Sequence, residues 1–338
     1  MKNKIRQDVH AERTDNATIR ISWQNKKELL KDLTIYKSTS PDGIETITAA
    51  EKSDGKPHVD ITGLDPDQRY YFKIVSNGFK EIIVSERKVS CEGTFNFRDM
   101  GGYETRDGLK TKWGCIFRSD GLSNLSDRGI RQFKNVGIRY VIDLRTEDEV
   151  GTSPDKLPSD MSIAYDHLPV KHGEFNFVHA MKRLKNGDAG WLSEAYMVKG
   201  YINSLETYAS TWGTALKKMA AKGNHPLVFH CTGGKDRTGT LATLLLLSLG
   251  VPSETIIHDH QLSNVYIADM LPFIFERVKS YGLDPKQVEP YFIAPLKGIN
   301  ALLSHIENTY GHAEKYLLNR CGLTKETLSH LKKNLLED

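Results

Sequence analysis

No run of the sequence approaches the ~20 apolar residues that a bilayer-spanning helix requires. The most apolar stretch, Leu241 to Leu249, is broken by Thr243 and Ser248, so no integral membrane segment is expected. The N-terminus, MKNKIRQDVHAERTDN, lacks the apolar core of a secretory leader; a cytoplasmic location is therefore expected, with export by another route left open. Net charge is scarce too: 46 Lys and Arg oppose 43 Asp and Glu, leaving +3 over 338 residues. That is too little for a nucleic-acid or membrane-surface partner, which needs a clustered basic face. The four cysteines (Cys91, Cys115, Cys231, Cys321) form neither a CxxC pair nor a dense framework, which fits reduced thiols better than disulfides. No HxxxH pair occurs, and neither a metal site nor another cofactor is expected. Repeats and low-complexity tracts are missing, and 12 Pro and 27 Gly exclude collagenous and disordered chains.

What is there is an ordinary globular composition, long enough for about two domains of roughly 150 residues each. Residues 1–90 read as short β-segments: ATIRISW (17–23), LTIYKS (33–38), HVDIT (58–62), YYFKIV (70–75) and EIIVSERKV (81–89), separated by turn clusters such as SPDG and DPDQ. That spacing predicts an all-β sandwich. Trp23, the string Leu64-Asp65-Pro66-Asp67-Gln68-Arg69-Tyr70, and the alternating Phe72 and Ile74 resemble a fibronectin type III module.

Beyond residue 90 the pattern becomes strands alternating with helices. CIFRS (115–119) and RYVIDLR (139–145) flank a helix capped by Ser126 and stopped at Gly137. A helical stretch from about Leu192 to Ala221 precedes the short strand PLVFH (226–230). An apolar helix from Thr238 to Leu249 follows, ended by Gly250 and Pro252, and the remainder is nearly all helix. This order predicts an α/β domain over 91–338, a central, largely parallel sheet surrounded by helices.

The chemistry lies in His230-Cys231-Thr232-Gly233-Gly234-Lys235-Asp236-Arg237-Thr238-Gly239, between that strand and the apolar helix. A loop this short can curl round one tetrahedral anion, its backbone N–H groups inward and the helix N-terminus adding positive potential. Gly233 and Gly234 permit the backbone, and the Arg237 fork can hold two phosphate oxygens. A thiol beside cations and a helix N-terminus ionises more readily, so Cys231 is the candidate nucleophile, forming a cysteinyl-phosphate that water hydrolyses. Thr238 could assist departure of the sulfur, and His230 would order the loop from behind.

His-Cys-x5-Arg-Thr-Gly resembles the signature of the cysteine-dependent protein tyrosine phosphatase superfamily. Phe95-Asn96-Phe97-Arg98-Asp99-Met100-Gly101-Gly102, Phe117-Arg118-Ser119, Ile142-Asp143-Leu144-Arg145-Thr146 and the C-terminal Tyr310-Gly311 to Thr324 landmarks extend it to the atypical bacterial tyrosine and phosphoinositide phosphatases. The resemblance implies that Asp236, inside the loop, protonates the leaving oxygen in preference to Asp188 or Asp143. It also implies that Lys235 accompanies acceptance of inositol phospholipids. Phosphotyrosine leads as substrate, with phosphoinositides behind it and phosphoserine or phosphothreonine a further candidate.

Plainer readings stand beside these. Cys231 could be a buried structural thiol, Arg237 a surface arginine, and Asp236 a carboxylate favourable at a helix start. Asn96, Arg98, Asp99, Asp143 and Arg145 line the pocket or brace it. Cys91, Cys115 and Cys321 are core thiols. Part of 171–200, with Phe175, Phe177 and Trp191, reads as a substrate-covering lid. A rival in another class is a phosphate-reading module without turnover, and the N-terminal segment would be its docking arm. A nucleotide-binding P-loop fails on spacing, since Phe229 and Asp236 stand at its glycine and hydroxyl positions.

Overall fold

The computed structural model describes residues 9–23, 34–41, 49–52, 57–75, 81–171, 182–188, 191 and 193–338. Its first seven strands are β1 (Val9–Asp15), β2 (Thr18–Trp23), β3 (Thr34–Ser38), β4 (Ala49–Lys52), β5 (His58–Ile61), β6 (Tyr71–Val75) and β7 (Ile82–Ser85). They form two antiparallel sheets, ordered β1-β2-β5 and β4-β3-β6-β7. Period-two alternation sends Ile19, Ile21 and Trp23 of the first and Ile35, Phe72, Ile74, Ile82 and Val84 of the second into one apolar cluster. The Tyr70 hydroxyl accepts the Asp65 N–H at 3.1 Å, tying the turn before β6 to its first residues. The expected strand over 81–89 is only Ile82–Ser85, because Glu86 leaves the sheet to pair with Arg13. Strands β1 and β4 carry too few apolar residues to have been read from the sequence.

A second sheet is built from β8 (Arg98–Asp99), β10 (Ile116–Ser119), β11 (Tyr140–Asp143), β12 (Ala164–His167) and β13 (Leu227–His230). Its order is β12-β11-β13-β10-β8, with β8 antiparallel at one edge and the other four parallel. Strands covered on both faces need apolar runs rather than alternation, and β10, β11 and β13 are buried throughout. A small antiparallel ribbon pairs β9 (Lys110–Thr111) with β14 (Leu336–Glu337).

Helices α1 (Asp127–Val136) and α2 (Glu147–Thr152) follow β10 and β11. Ser126 caps α1 by accepting the Gly129 N–H, and Gly137 ends it with φ 75°. The helical stretch expected from Leu192 to Ala221 is two helices, α3 (Glu194–Thr207) and α4 (Ala209–Ala220), which change direction at Tyr208. Next come α5 (Asp236–Ser248), α6 (Ser253–Tyr266), α7 (Leu271–Ser280), α8 (Pro285–Phe292), α9 (Leu296–Tyr310), α10 (Ala313–Asn319) and α11 (Lys325–Leu335). Buried on nearly every side, α5 is the axis of the main core. In an open parallel sheet the strands' carboxyl ends form the crevice where ligands bind, and Ser119, Asp143 and His230 lie there.

The N-terminal sheets are fastened to the segments around the five-stranded sheet by polar groups. Arg69 donates to buried Asp99 at 2.8 Å, and α1 grips Asp67 through Arg128 at 2.7 Å and Gln132 at 2.9 Å.

Candidate active site

Strand β13 delivers Cys231 to the carboxyl edge of the sheet, where five residues turn the chain into α5. Gly234 adopts φ +65°, and a Cβ there would lie 2.6 Å from the Asp120 nitrogen and the Ser119 oxygen, so only glycine fits. Asn96 Nδ2 donates to the Gly233 and Gly234 carbonyls at 3.2 and 3.0 Å, and Arg118 donates to Gly234 O at 2.8 Å. In a trans peptide the N–H points opposite to the C=O. Holding these carbonyls from behind therefore turns the next N–H groups the other way, giving a bowl of donors at the start of α5.

Arg237 sits in the first turn of α5 and makes a two-pronged ion pair with Glu149 at 2.6 and 2.7 Å. Glu149 is the third residue of α2 and closes a capping box with Thr146. It also accepts the Thr232 hydroxyl at 2.5 Å. Burial opposes its ionised form, but Arg237 and the other donors hold its pKa down to about 2. The guanidinium is thereby fixed in direction before any ligand arrives.

Next to Cys231 in the chain, the His230 ring lies 3.0 Å from Asp155 Oδ2 and 3.9 Å from Asp143 Oδ2. Burial disfavours its charge, yet the two carboxylates raise its pKa overall. Arg145 forks onto Asp143 and also reaches Asp155 at 2.7 Å. Asp143 is held near pKa 2 despite burial by His230 and Arg145. Among the described residues Asp143, Asp155 and His230 are the one group with ligand atoms within 4.8 Å of one another, and Arg145 already supplies positive charge there. The one His-x-His spacing, His258-Asp259-His260, does not form such a group: His260 and Asp259 are buried, and His258 is exposed.

The structure thus brings together Cys231, Thr232, Gly233, Gly234, Lys235, Asp236, Arg237 and Thr238. Cys231 is 3% exposed, and the Thr238 hydroxyl is buried with no hydrogen-bond partner among the described residues. Asp236 Oδ1 accepts the Tyr201 hydroxyl at 2.7 Å, and its other oxygen contacts the Lys235 ammonium. Arg98, Asp99, Asp143 and Arg145 brace the site rather than line it. Arg98 joins Arg118 on Asp259, while Asp99 holds Arg69 and the Gly101 and Gly114 amides. Asp188 is a half-exposed partner of Arg183. Cys91 and Cys321 are buried thiols pushed up to about 12 by desolvation, and Cys115 is half-buried.

Residues 172–181, 189, 190 and 192 of the expected lid, with Phe175 and Phe177, lie outside the described residues. Trp191 and Leu184 pack with Val278, Val288 and Phe292, and Tyr291 meets Trp191 edge-on at 5.1 Å. Tyr291 also receives the Lys235 ammonium 5.6 Å above its ring, so an aromatic neighbour of the loop comes from α8, read beforehand only as helix. Sequence reasoning missed Glu149, Asp155, Tyr201, Asp259, His260 and Tyr291. Only Glu149 carried a local signal, the Thr-x-x-Glu capping box directly after a strand.

The sequence model of the Tyrosine phosphatase family matches residues 89–337, well over half the chain. The chain belongs to that family. This phosphatase is 29% identical over 231 residues to a tyrosine-protein phosphatase of Nostoc commune, covering 65% of this chain and 74% of the relative. It is 27% identical over 274 residues to triple specificity protein phosphatase PtpB of Mycobacterium tuberculosis, covering 72% and 97%. A Cupriavidus necator chain with a provisional tyrosine-protein phosphatase name is 27% identical over 222 residues, covering 66% and 80%. Among the described residues of this phosphatase no helix is long and apolar enough to cross a membrane.

Proposed function

We propose that this phosphatase hydrolyses phosphotyrosine through a cysteinyl-phosphate, with Cys231 as nucleophile, Arg237 and the 232–237 amides as dianion receptor, and Asp236 as acid. The reading rests above all on Cys231 and Arg237 sharing one loop whose backbone is pinned from behind by Asn96 and Arg118. The sulfur–phosphorus bond forms as the ester P–O bond breaks, and the Asp236 proton passes to the leaving oxygen. Water then attacks phosphorus, returns a proton to Asp236 and releases the thiolate, with Thr238 donating to the departing sulfur. Lys235, beside Asp236, favours additional anionic substrates such as phosphoinositides, and the name of the M. tuberculosis relative supports a specificity broader than tyrosine.

Phosphotyrosyl peptides, phosphoseryl peptides and phosphoinositide vesicles assayed side by side test the reading. Cys231→Ser is expected to lose turnover on all of them while still binding orthovanadate; retained turnover removes the nucleophile. Phosphate binding by the wild-type protein without release would instead support the reader. We infer further that residues up to about 90 form a fibronectin type III-like sandwich and that 91–338 form the catalytic domain. The shared core of the three- and four-stranded sheets and the Tyr70 corner support this. Four separate thiols support a reducing compartment such as the cytoplasm.

A further inference from the structure

A chain of buried polar groups runs away from Asp236 that the chemistry above does not use. The Tyr201 hydroxyl donates to Asp236 Oδ1 at 2.7 Å and lies 3.0 Å from His260 Nε2. Gln261 Nε2 is 3.1 Å from His260 Nδ1 and donates to Ala294 O at 3.2 Å. Asn264 Nδ2 donates to Gln261 Oε1 at 3.2 Å, and Asn264 Oδ1 accepts the Ala294 N–H at 2.6 Å.

These contacts assign the imidazole and phenol protons. The Gln261 nitrogen is identified by the Ala294 carbonyl, so it donates to His260 Nδ1, which must accept. Burial and the charge of Arg118 push the His260 pKa down to about 3, keeping the ring neutral with its proton on Nε2. That N–H donates to the Tyr201 oxygen and leaves the phenolic proton for Asp236. Two glycines make room for the pair. A Cβ on Gly239 of α5 would come 2.9 Å from His260 Cδ2, and one on Gly298 of α9 would come 2.7 Å from Tyr201 Cε2. Glycine inside a helix is unfavourable beside alanine, and close approach to Tyr201 and His260 is what it permits here.

We propose that Tyr201 is a positioning residue for the acid: its hydroxyl, oriented by His260 and Gln261, fixes Asp236 Oδ1 so that Oδ2, the oxygen that also meets the Lys235 ammonium, exchanges the proton. This rests on the assignment of Asp236 as acid. When the P–O bond breaks, the Oδ2 proton moves to the leaving oxygen and the carboxylate left behind strengthens its bond from Tyr201. In the second half-reaction the attacking water's proton returns to Oδ2 as the S–P bond breaks.

The test uses the full chain with phenyl phosphate, a poor leaving group, and p-nitrophenyl phosphate, a good one, plus orthovanadate inhibition as a measure of the loop. Tyr201→Phe is expected to lower kcat on phenyl phosphate about tenfold and on p-nitrophenyl phosphate less than about twofold, with vanadate inhibition unchanged. Adding it to Asp236→Asn is expected to cause no further loss. Equal losses on both esters, or weakened vanadate binding, would assign Tyr201 to packing and overturn the proposal. A leaving-group-dependent loss in Asp236→Asn without one in Tyr201→Phe overturns the positioning role alone. Equal losses in Asp236→Asn overturn the acid and this inference with it. If Tyr201→Phe does not fold, Gly298→Ala, which presses on the Tyr201 ring, is expected to show the same selectivity at smaller amplitude, and equal losses there also overturn it.

Discussion

Glu149 shows how much one buried carboxylate decides at this site. Its folded pKa of about 2 lies below its ordinary 4.5, so its ionised form stabilises the fold fully above pH 4.5. That contribution is lost as pH falls toward 2. Urea unfolding across this window is expected to show a shallower pH slope for Glu149→Gln than for the wild type; identical slopes would detach Glu149 from Arg237. The same variant frees the guanidinium, and kcat/KM is expected to fall by about tenfold to a hundredfold for good and poor leaving groups alike. Asp236→Asn is expected to behave differently. Loss of a general acid costs about 10²–10⁴-fold where the leaving oxygen needs a proton and far less where it does not. Both proposed roles sit in side chains, but only Asp236 could be singled out beforehand, because it lies inside the motif. Glu149 precedes Arg237 by 88 positions, and no local pattern announces which arginine a carboxylate will meet.

At the scale of elements, α5 joins the chemistry to the core. Its leucines other than the partly buried Leu247 are enclosed in the core, which the apolar run from Leu241 to Leu249 made readable, and Leu244 is fully buried. Leu244→Ala is expected to cost about 2–5 kcal/mol in urea unfolding, because the cavity cannot collapse between a sheet and several helices. A cost below 1 kcal/mol would mean that α5 is not the axis of the core. Strands β10, β11 and β13 were likewise visible as short apolar runs, whereas β8, β9 and β14 were not. Two-residue strands have no period to detect, and their pairing depends on partners elsewhere in the chain.

Taken as a whole molecule, the N-terminal sheets are joined to the catalytic fold by a buried charge pair rather than a free tether. Arg69 and Asp99 are both nearly inaccessible, and Asp99 also orders the Gly101 and Gly114 amides. Removing one partner of such a pair strands the other charge. Arg69→Ala is therefore expected to destabilise the protein by about 3–5 kcal/mol in thermal unfolding, with kcat preserved in the folded fraction. An unchanged melting temperature would make the contact incidental. By itself the sequence determined the α/β class, most of the antiparallel strands before residue 90, and the placing of Cys231 to Thr238 between a strand and a helix, because periodicity and a contiguous motif are local properties that need no partner. Only the tertiary structure decided that Glu149 grips Arg237, that Arg118 and Asn96 pin the loop, and that Tyr201 and His260 stand behind Asp236. Each of those contacts joins residues far apart in the chain, and buried polar groups find their partners only where packed elements bring them together.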